Sequence, residues 1–142
     1  MIELKSKYPA YGKIIAERIK WNNLPSVIFV CLGGDAFRSA QHHNKDRDQA
    51  AMVLLPAQNP KQLIWPVKNI PVIIEWDGSA SEKTIIDLAR CLLGAGATSA
   101  TIYPVFEDFS TQPGYYDTAQ LKFINSREVI RTYHPKKVRN VA

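Results

Sequence analysis

The clearest pattern of apolar and polar positions lies between residues 70 and 106. An apolar run at 70–76 is followed by an acidic turn at 77–79 and by a segment, 80–93, whose apolar residues recur every three or four positions. A Gly-Ala-Gly-Ala stretch at 94–97 then precedes a second apolar run at 99–105. Period-two or continuous apolar runs favour strands, and a 3.6-residue period favours a helix. The stretch is therefore predicted to form one βαβ unit.

The rest of the chain continues this alternation of helices and strands. The pattern predicts a helix at 9–21, a strand at 26–32, a helix at 36–43, a strand at 50–55, a short helical turn at 61–65, a loop at 107–118, an edge strand at 121–124 and a strand or short helix at 127–134. Strands that are apolar on both faces and alternate with helices are typical of parallel sheets covered on both sides. The predicted fold is a three-layer α/β/α sandwich, Rossmann-like, with a four- to five-stranded, mainly parallel sheet. The connection 55–70 is short for a crossover helix, so the strand order stays open.

The length of 142 residues fits a single α/β domain spanning 1–142, with a core at about 8–125 and a basic tail at 126–142. No apolar run approaches the roughly 20 residues that a membrane span needs. The N-terminal residues lack the apolar stretch of a signal peptide. We therefore expect a cytoplasmic protein without membrane contact, in which Cys31 and Cys91 are buried free thiols.

Polar residues follow the first and third predicted strands. In open α/β sheets, ligands bind outside the carboxyl ends of the strands, where glycine allows close approach and helix N-termini attract anions. The sequence thus predicts a crevice for a phosphorylated or nucleotide-like ligand. Because oxygen-rich carboxylate clusters also suit Mg²⁺, a divalent ion is a further expectation. The candidate ligand-binding residues are Gly33, Gly34, Asp35, Glu75, Asp77 and Ser79.

Helix capping is the competing explanation for several of these residues. Asp35 stands where it can cap the helix at 36–43, and Ser79 with Glu82 has the spacing of a capping box. Capping would account for Asp35 and Ser79 without any ligand, whereas it does not account for Glu75. Adjacent His42 and His43 point about 100° apart on a helix and are interpreted as a solvated helix end.

The charge distribution and the aromatic residues suggest two alternative functions. Residues 1–23 carry a net charge of +3, residues 24–121 carry −3 and residues 122–142 carry +5. Basic ends can bind nucleic acid, which makes this chain a candidate accessory protein with its contacts in the tail region. The candidate nucleic-acid-binding residues are Arg127, Arg131, Lys136, Lys137 and Arg139. Alternatively, the basic termini and the aromatic residues Trp65, Phe109, Tyr115 and Tyr116 could dock on a protein partner in an assembly, although such aromatic side chains more often cover the core.

Known catalytic and phosphate motifs do not occur in the chain. There is no G-x-x-x-x-G-K-[ST], no third glycine after Gly33-Gly34 and no G-x-S-x-G. No complete catalytic constellation can be assembled, so the sequence favours a binding domain over an enzyme.

Overall fold

The computed structural model describes residues 7–76, 79–104, 114–117, 122–125 and 131–135, with the backbone alone at 104, 114–117, 122–125 and 131–132. Its elements are α1 (Gly12–Lys20), β1 (Val27–Cys31), α2 (Ala36–His43), β2 (Gln49–Val53), β3 (Pro71–Trp76), α3 (Glu82–Gly94), β4 (Ser99–Pro104), β5 (Gly114–Asp117), β6 (Lys122–Asn125) and β7 (Arg131–Tyr133). A 3₁₀ turn at Pro60–Gln62 lies between β2 and β3.

The main sheet has five strands in the order β2-β1-β3-β4-β7. The first four are parallel, and β7 joins the edge antiparallel to β4. Ile28 at the centre of the sheet lies between Ala50 of β2 and Val72 of β3. The predicted four- to five-stranded, mainly parallel sheet is therefore confirmed.

The two faces of this sheet carry separate clusters of buried side chains. The larger cluster takes alternate residues of β1 to β4, such as Val30 and Ile74, and joins them to Ile15 of α1 and Leu88 of α3. The smaller cluster takes the opposite positions, including Cys31, and packs them against α2. Helices consequently cover both faces, as a Rossmann-like α/β sandwich requires.

Two predictions outside the sheet centre need correction. The segment 107–118, predicted as a loop, contains β5, and the strand predicted at 121–124 is β6, which pairs with β5 instead of the main sheet. Trp65, a candidate interface anchor, is 6% exposed and covers the core, as the alternative interpretation expected, and its indole nitrogen donates to the carbonyl of Pro60 at 2.9 Å. A local aromatic signal cannot distinguish a side chain that covers the core from one that protrudes.

No helix among the described residues has the length and apolar character needed to cross a bilayer. Cys31 and Cys91 are both free; Cys31 is buried, whereas Cys91 is half-buried on α3.

Candidate functional site

The candidate site lies at the point where successive strands switch from one side of β1 to the other. From β1 the chain passes through α2 to β2 on one side, and it then returns to β3 on the other side of β1. The carboxyl ends of β1 and β3 are thus neighbours, and the amide of Leu32 donates to the carbonyl of Glu75 at 3.1 Å. Crevices at such switch points are the usual ligand sites of open α/β sheets.

The loop between β1 and α2 forms one wall of this crevice. Gly33 has φ of 107°, a conformation that L-residues rarely adopt. Gly34 is exposed, and a Cβ atom added there would meet no heavy atom of the described residues within 4 Å. The loop therefore leaves open space directly before the first turn of α2.

The N-terminus of α2 lacks the cap that the sequence predicted. Asp35 occupies the N-cap position, but its side chain makes no capping hydrogen bond, so the prediction that it caps this helix is wrong. Its φ and ψ of −101° and 15° depart from the extended conformation usual for a capping residue. The amides of Phe37 and Arg38 in the first turn have no hydrogen-bond acceptor among the described residues. Two backbone donors thus remain available at the positive end of the helix dipole.

At the neighbouring strand end, the structure describes residues 79–81 of the segment between β3 and α3. Ser79 is exposed there, while Asp77 lies outside the described residues. The predicted capping box of Ser79 and Glu82 is wrong, since α3 begins at Glu82 and its N-cap is Ser81. The Ser81 hydroxyl accepts from the amide of Thr84 at 3.1 Å. Because two serines lie near the helix start, spacing alone could not identify the one with the capping conformation.

Glu75 lies on the α2 side of β3 and has several hydrogen-bond donors around it. Its Oε1 accepts from the Ser39 hydroxyl at 2.6 Å, lies 3.1 Å from His43 Nε2 and accepts from the Cys31 thiol at 3.2 Å. The side chains of Glu75 and His43 are 17% and 16% exposed. This polar cluster joins α2 to β1 and β3 beneath the crevice.

His43 is held in place on three sides. Its ring stacks on Phe29 with a centroid distance of 3.6 Å, and its Nδ1 lies 3.2 Å from the side-chain oxygen of Gln49. With Nε2 donating to Glu75, the ring either donates from both nitrogens as an imidazolium or accepts at Nδ1 from a rotated Gln49 amide. His42 is exposed as predicted, but the interpretation of His43 as part of a solvated helix end is wrong.

A sequence signal for this cluster does exist. Ser39 and His43 are four residues apart and so share one face of a helix. Glu75 lies at an alternate position of β3, facing opposite to Ile74. The spacing shows which residues share a face, but it does not show which helix lies above which strand.

Burial and the Glu75 carboxylate together decide the state of the Cys31 thiol. Burial raises the pKa of Cys31 well above its usual range, and the negative charge of Glu75 raises it further. The thiol therefore stays protonated and donates to Glu75. Burial also raises the pKa of Cys91, with Asp87 adding to the effect.

The described residues contain no group of three His, Cys, Asp or Glu side chains placed to hold a metal ion. Oε1 of Glu75 is already surrounded by three donors, so this oxygen is poorly placed to coordinate Mg²⁺. The first turn of α2 instead presents the two backbone donors of Phe37 and Arg38, which match an anionic ligand.

Most of the predicted nucleic-acid-binding and interface residues lie beyond what the structure describes. Arg131 lies in β7 at the sheet edge, opposite Ile102 of β4. Tyr115 and Tyr116 lie in β5. The remaining residues, Arg127, Lys136, Lys137, Arg139 and Phe109, lie outside the described ranges.

Comparisons of this chain with protein-family models, curated proteins and solved structures found no match.

Proposed function

We propose that this domain binds a small phosphorylated ligand, of the sugar phosphate or nucleotide class, in the crevice between the carboxyl ends of β1 and β3. The observation that carries the proposal is the uncapped N-terminus of α2 at the switch point, where the amides of Phe37 and Arg38 have no acceptor among the described residues. Backbone donors at a helix N-terminus are a recurrent phosphate site. The function is ligand binding, with no catalytic step assigned.

Each wall of the crevice has a role in the proposed complex. The phosphate accepts from the amides of Phe37 and Arg38, and Gly33 and Gly34 allow the backbone to approach it. The carboxylate of Asp35 would repel a bare phosphate, but it can accept hydrogen bonds from ligand hydroxyl groups. The site should therefore prefer a phosphate carried by a sugar over inorganic phosphate.

Ser79, Asp77 and Glu75 have different places in the proposed site. Ser79 and Asp77 belong to the β3–α3 side of the crevice by their position in the chain. Glu75 acts from below as a positioning residue, since it holds α2 through Ser39 and His43. Nucleic-acid binding by the terminal basic residues and assembly through aromatic residues stay predictions.

A thermal-shift panel tests the proposal with inorganic phosphate, ribose 5-phosphate, AMP and ATP, each with and without Mg²⁺. A ligand at 100 times its Kd adds about 2.7 kcal/mol to the free energy of unfolding. At roughly 3–4 °C per kcal/mol for a domain of this size, the melting temperature should rise by about 8–10 °C. The sugar phosphates should give a larger shift than inorganic phosphate.

Gly34→Leu is the decisive variant, because a Cβ atom at Gly34 meets no described residue within 4 Å and the longer side chain would extend into the proposed crevice. Gly94→Leu is the matched control, since a Cβ atom at Gly94 likewise meets nothing within 4 Å but lies at the end of α3. The ligand shift should disappear in Gly34→Leu and persist in Gly94→Leu. If no ligand changes the melting temperature, the proposed binding of a phosphorylated ligand is wrong. If both variants retain the shift, the ligand binds at another site.

A further inference from the structure

A second surface lies between residues of α1 and residues of α2. Two adjoining grooves of about 350 and 380 Å³ share Arg18, Asn44 and Lys45 in their walls. Tyr11 and Gln41 extend the surface at one end, and Arg47 extends it at the other. We call these six residues with the space between them the α1–α2 groove.

Among the described residues, no carboxylate forms a salt bridge with the cations of the α1–α2 groove. Arg18 donates to the backbone carbonyls of Arg47 at 2.8 Å and Gln49 at 2.9 Å, which fixes its guanidinium in position without cancelling its charge. Lys45 and Arg47 are exposed, and neither forms a salt bridge with any described residue. Asp46 is the acidic side chain of the groove, and its Oδ1 accepts from the amide of Asp48 at 2.9 Å.

The basic character extends along this part of the chain. Residues 7–47 hold seven basic and three acidic side chains, whereas residues 48–104 hold four basic and five acidic ones. On α3, by contrast, Lys83 and Arg90 both lie within 4.0 Å of Asp87. The unneutralised positive charge of the folded body is therefore concentrated around α1 and α2.

Exposed aromatic and apolar side chains accompany these cations. Phe37 is 44% exposed and contacts Tyr11 edge-on, with ring centroids 6.1 Å apart. Ile14, in the wall of the groove, is 63% exposed. Trp21, one turn beyond Arg18, is 74% exposed, with Lys20 Nζ 5.9 Å from its ring centroid. The surface thus combines available cations with available aromatic faces.

We infer that the α1–α2 groove binds single-stranded nucleic acid. Arg18, Lys45 and Arg47 contact successive phosphates, and bases stack on Phe37 and Tyr11. A positively charged groove with aromatic platforms is how proteins bind single strands without sequence preference. An acidic peptide would use the same cations but has less use for the exposed aromatic faces, so nucleic acid is the favoured partner. This inference does not depend on the proposed function and does not involve the basic tail.

The test measures fluorescence anisotropy of a labelled 20-nucleotide oligo-dT with the full chain over a range of salt concentrations. Three phosphate contacts predict a slope of about −2 in a plot of log affinity against log salt, from roughly −0.7 per contact. Replacing Lys45 and Arg47 together by Gln should bring the slope close to −0.7. Phe37→Ala should weaken binding roughly 5- to 150-fold, the range found for loss of one stacked base.

Matched variants make the test specific for the groove. Lys83→Gln with Arg90→Gln removes the same charge from α3 and should leave affinity and salt slope unchanged. Lys136→Gln, Lys137→Gln and Arg139→Gln together remove charge from the tail and should leave the groove-dependent slope in place. Because Lys45, Arg47 and Phe37 are exposed, the melting temperature of each variant checks that the fold is retained.

Three results would overturn the inference. One is the absence of detectable oligo-dT binding, or a loss of affinity that is equal in the groove variant and the α3 variant. Another is binding that the tail variant abolishes and the groove variant retains. The third is competition by a polyglutamate peptide as strong as that by unlabelled oligo-dT of the same length, which would assign the groove to an acidic protein partner.

Discussion

Replacing Glu75 by Gln should destabilise the protein, because the carboxylate links α2 to two strands of the sheet. Oε1 of Glu75 has three donors around it, from Ser39, His43 and Cys31. Glutamine keeps the size of the side chain but removes the charge, and its amide nitrogen adds a donor beside existing donors. The variant therefore isolates the electrostatic part of the cluster.

The magnitude follows from the number of bonds and from their exposure. A hydrogen bond to a charged group contributes about 1.5–3 kcal/mol and a neutral one about 0.5–1.5 kcal/mol, so losing the charge costs roughly 1–1.5 kcal/mol per bond. Three independent buried bonds would give about 3–4.5 kcal/mol on that scale. They share one oxygen, however, and 17% of the Glu75 side chain is exposed, so water partly replaces the lost interaction. We expect a loss of about 2 kcal/mol in unfolding free energy, or roughly 6–8 °C in melting temperature.

Urea unfolding at pH 7, followed by circular dichroism, measures this loss. Glu17→Gln is the control, because Glu17 is exposed on α1 and its replacement should stay within about 0.5 kcal/mol of the original stability. Ser39→Ala alone should cost about 1 kcal/mol. Combined with Glu75→Gln it should cost less than the sum, since the two residues share a bond. If Glu75→Gln were no more destabilising than Glu17→Gln, the cluster would contribute nothing to stability.

Three further predictions concern individual residues. Because the folded-state pKa of Cys31 lies above its unfolded value of about 8.5, the unfolded chain loses this proton first, and stability should fall by up to about 1.4 kcal/mol per pH unit above that value. Urea unfolding between pH 8 and 10 should show a shallower decline in Cys31→Ala, and equal slopes would contradict the assignment. Gly12→Ala should lose about 1–3 kcal/mol by thermal melting, because the added Cβ lies 3.0 Å from Pro9 Cδ, whereas Gly94→Ala should lose none of this packing energy. Ser81→Ala should cost about 1 kcal/mol and Ser81→Asp should retain the cap, and equal melting temperatures for all three proteins would argue against Ser81 as the N-cap.

The βαβ unit shows how far local patterns can be read. The strand predicted at 70–76 is Pro71–Trp76, the helix predicted at 80–93 is Glu82–Gly94, and the strand predicted at 99–105 is Ser99–Pro104. These elements were predictable because burial of alternate or continuous positions leaves a periodic trace in the sequence. Their ends were less predictable, since capping depends on backbone conformation at one or two residues.

The polar cluster under α2 shows which contacts the sequence pattern does not predict. Ser39 and Cys31 are 36 and 44 residues away from Glu75 in the chain, yet both contact one of its oxygens. The sequence marked Glu75 as a candidate site residue, because helix capping does not account for a carboxylate at this position. It did not indicate which partners Glu75 has, because that depends on the register of β1 against β3 and on the placement of α2 above them.

The sequence by itself determined the class of fold, because the alternation of apolar strands and amphipathic helices leaves few ways to bury both. The tertiary structure decided the strand order β2-β1-β3-β4, and with it the switch point at which Gly33, Gly34 and Asp35 meet the end of β3. It also decided that α1 and α2, which pack on opposite faces of the sheet, together line a basic groove. Periodicity is a local property of the chain. Strand pairing and long-range polar contacts, by contrast, are fixed only when all the helices and strands pack together.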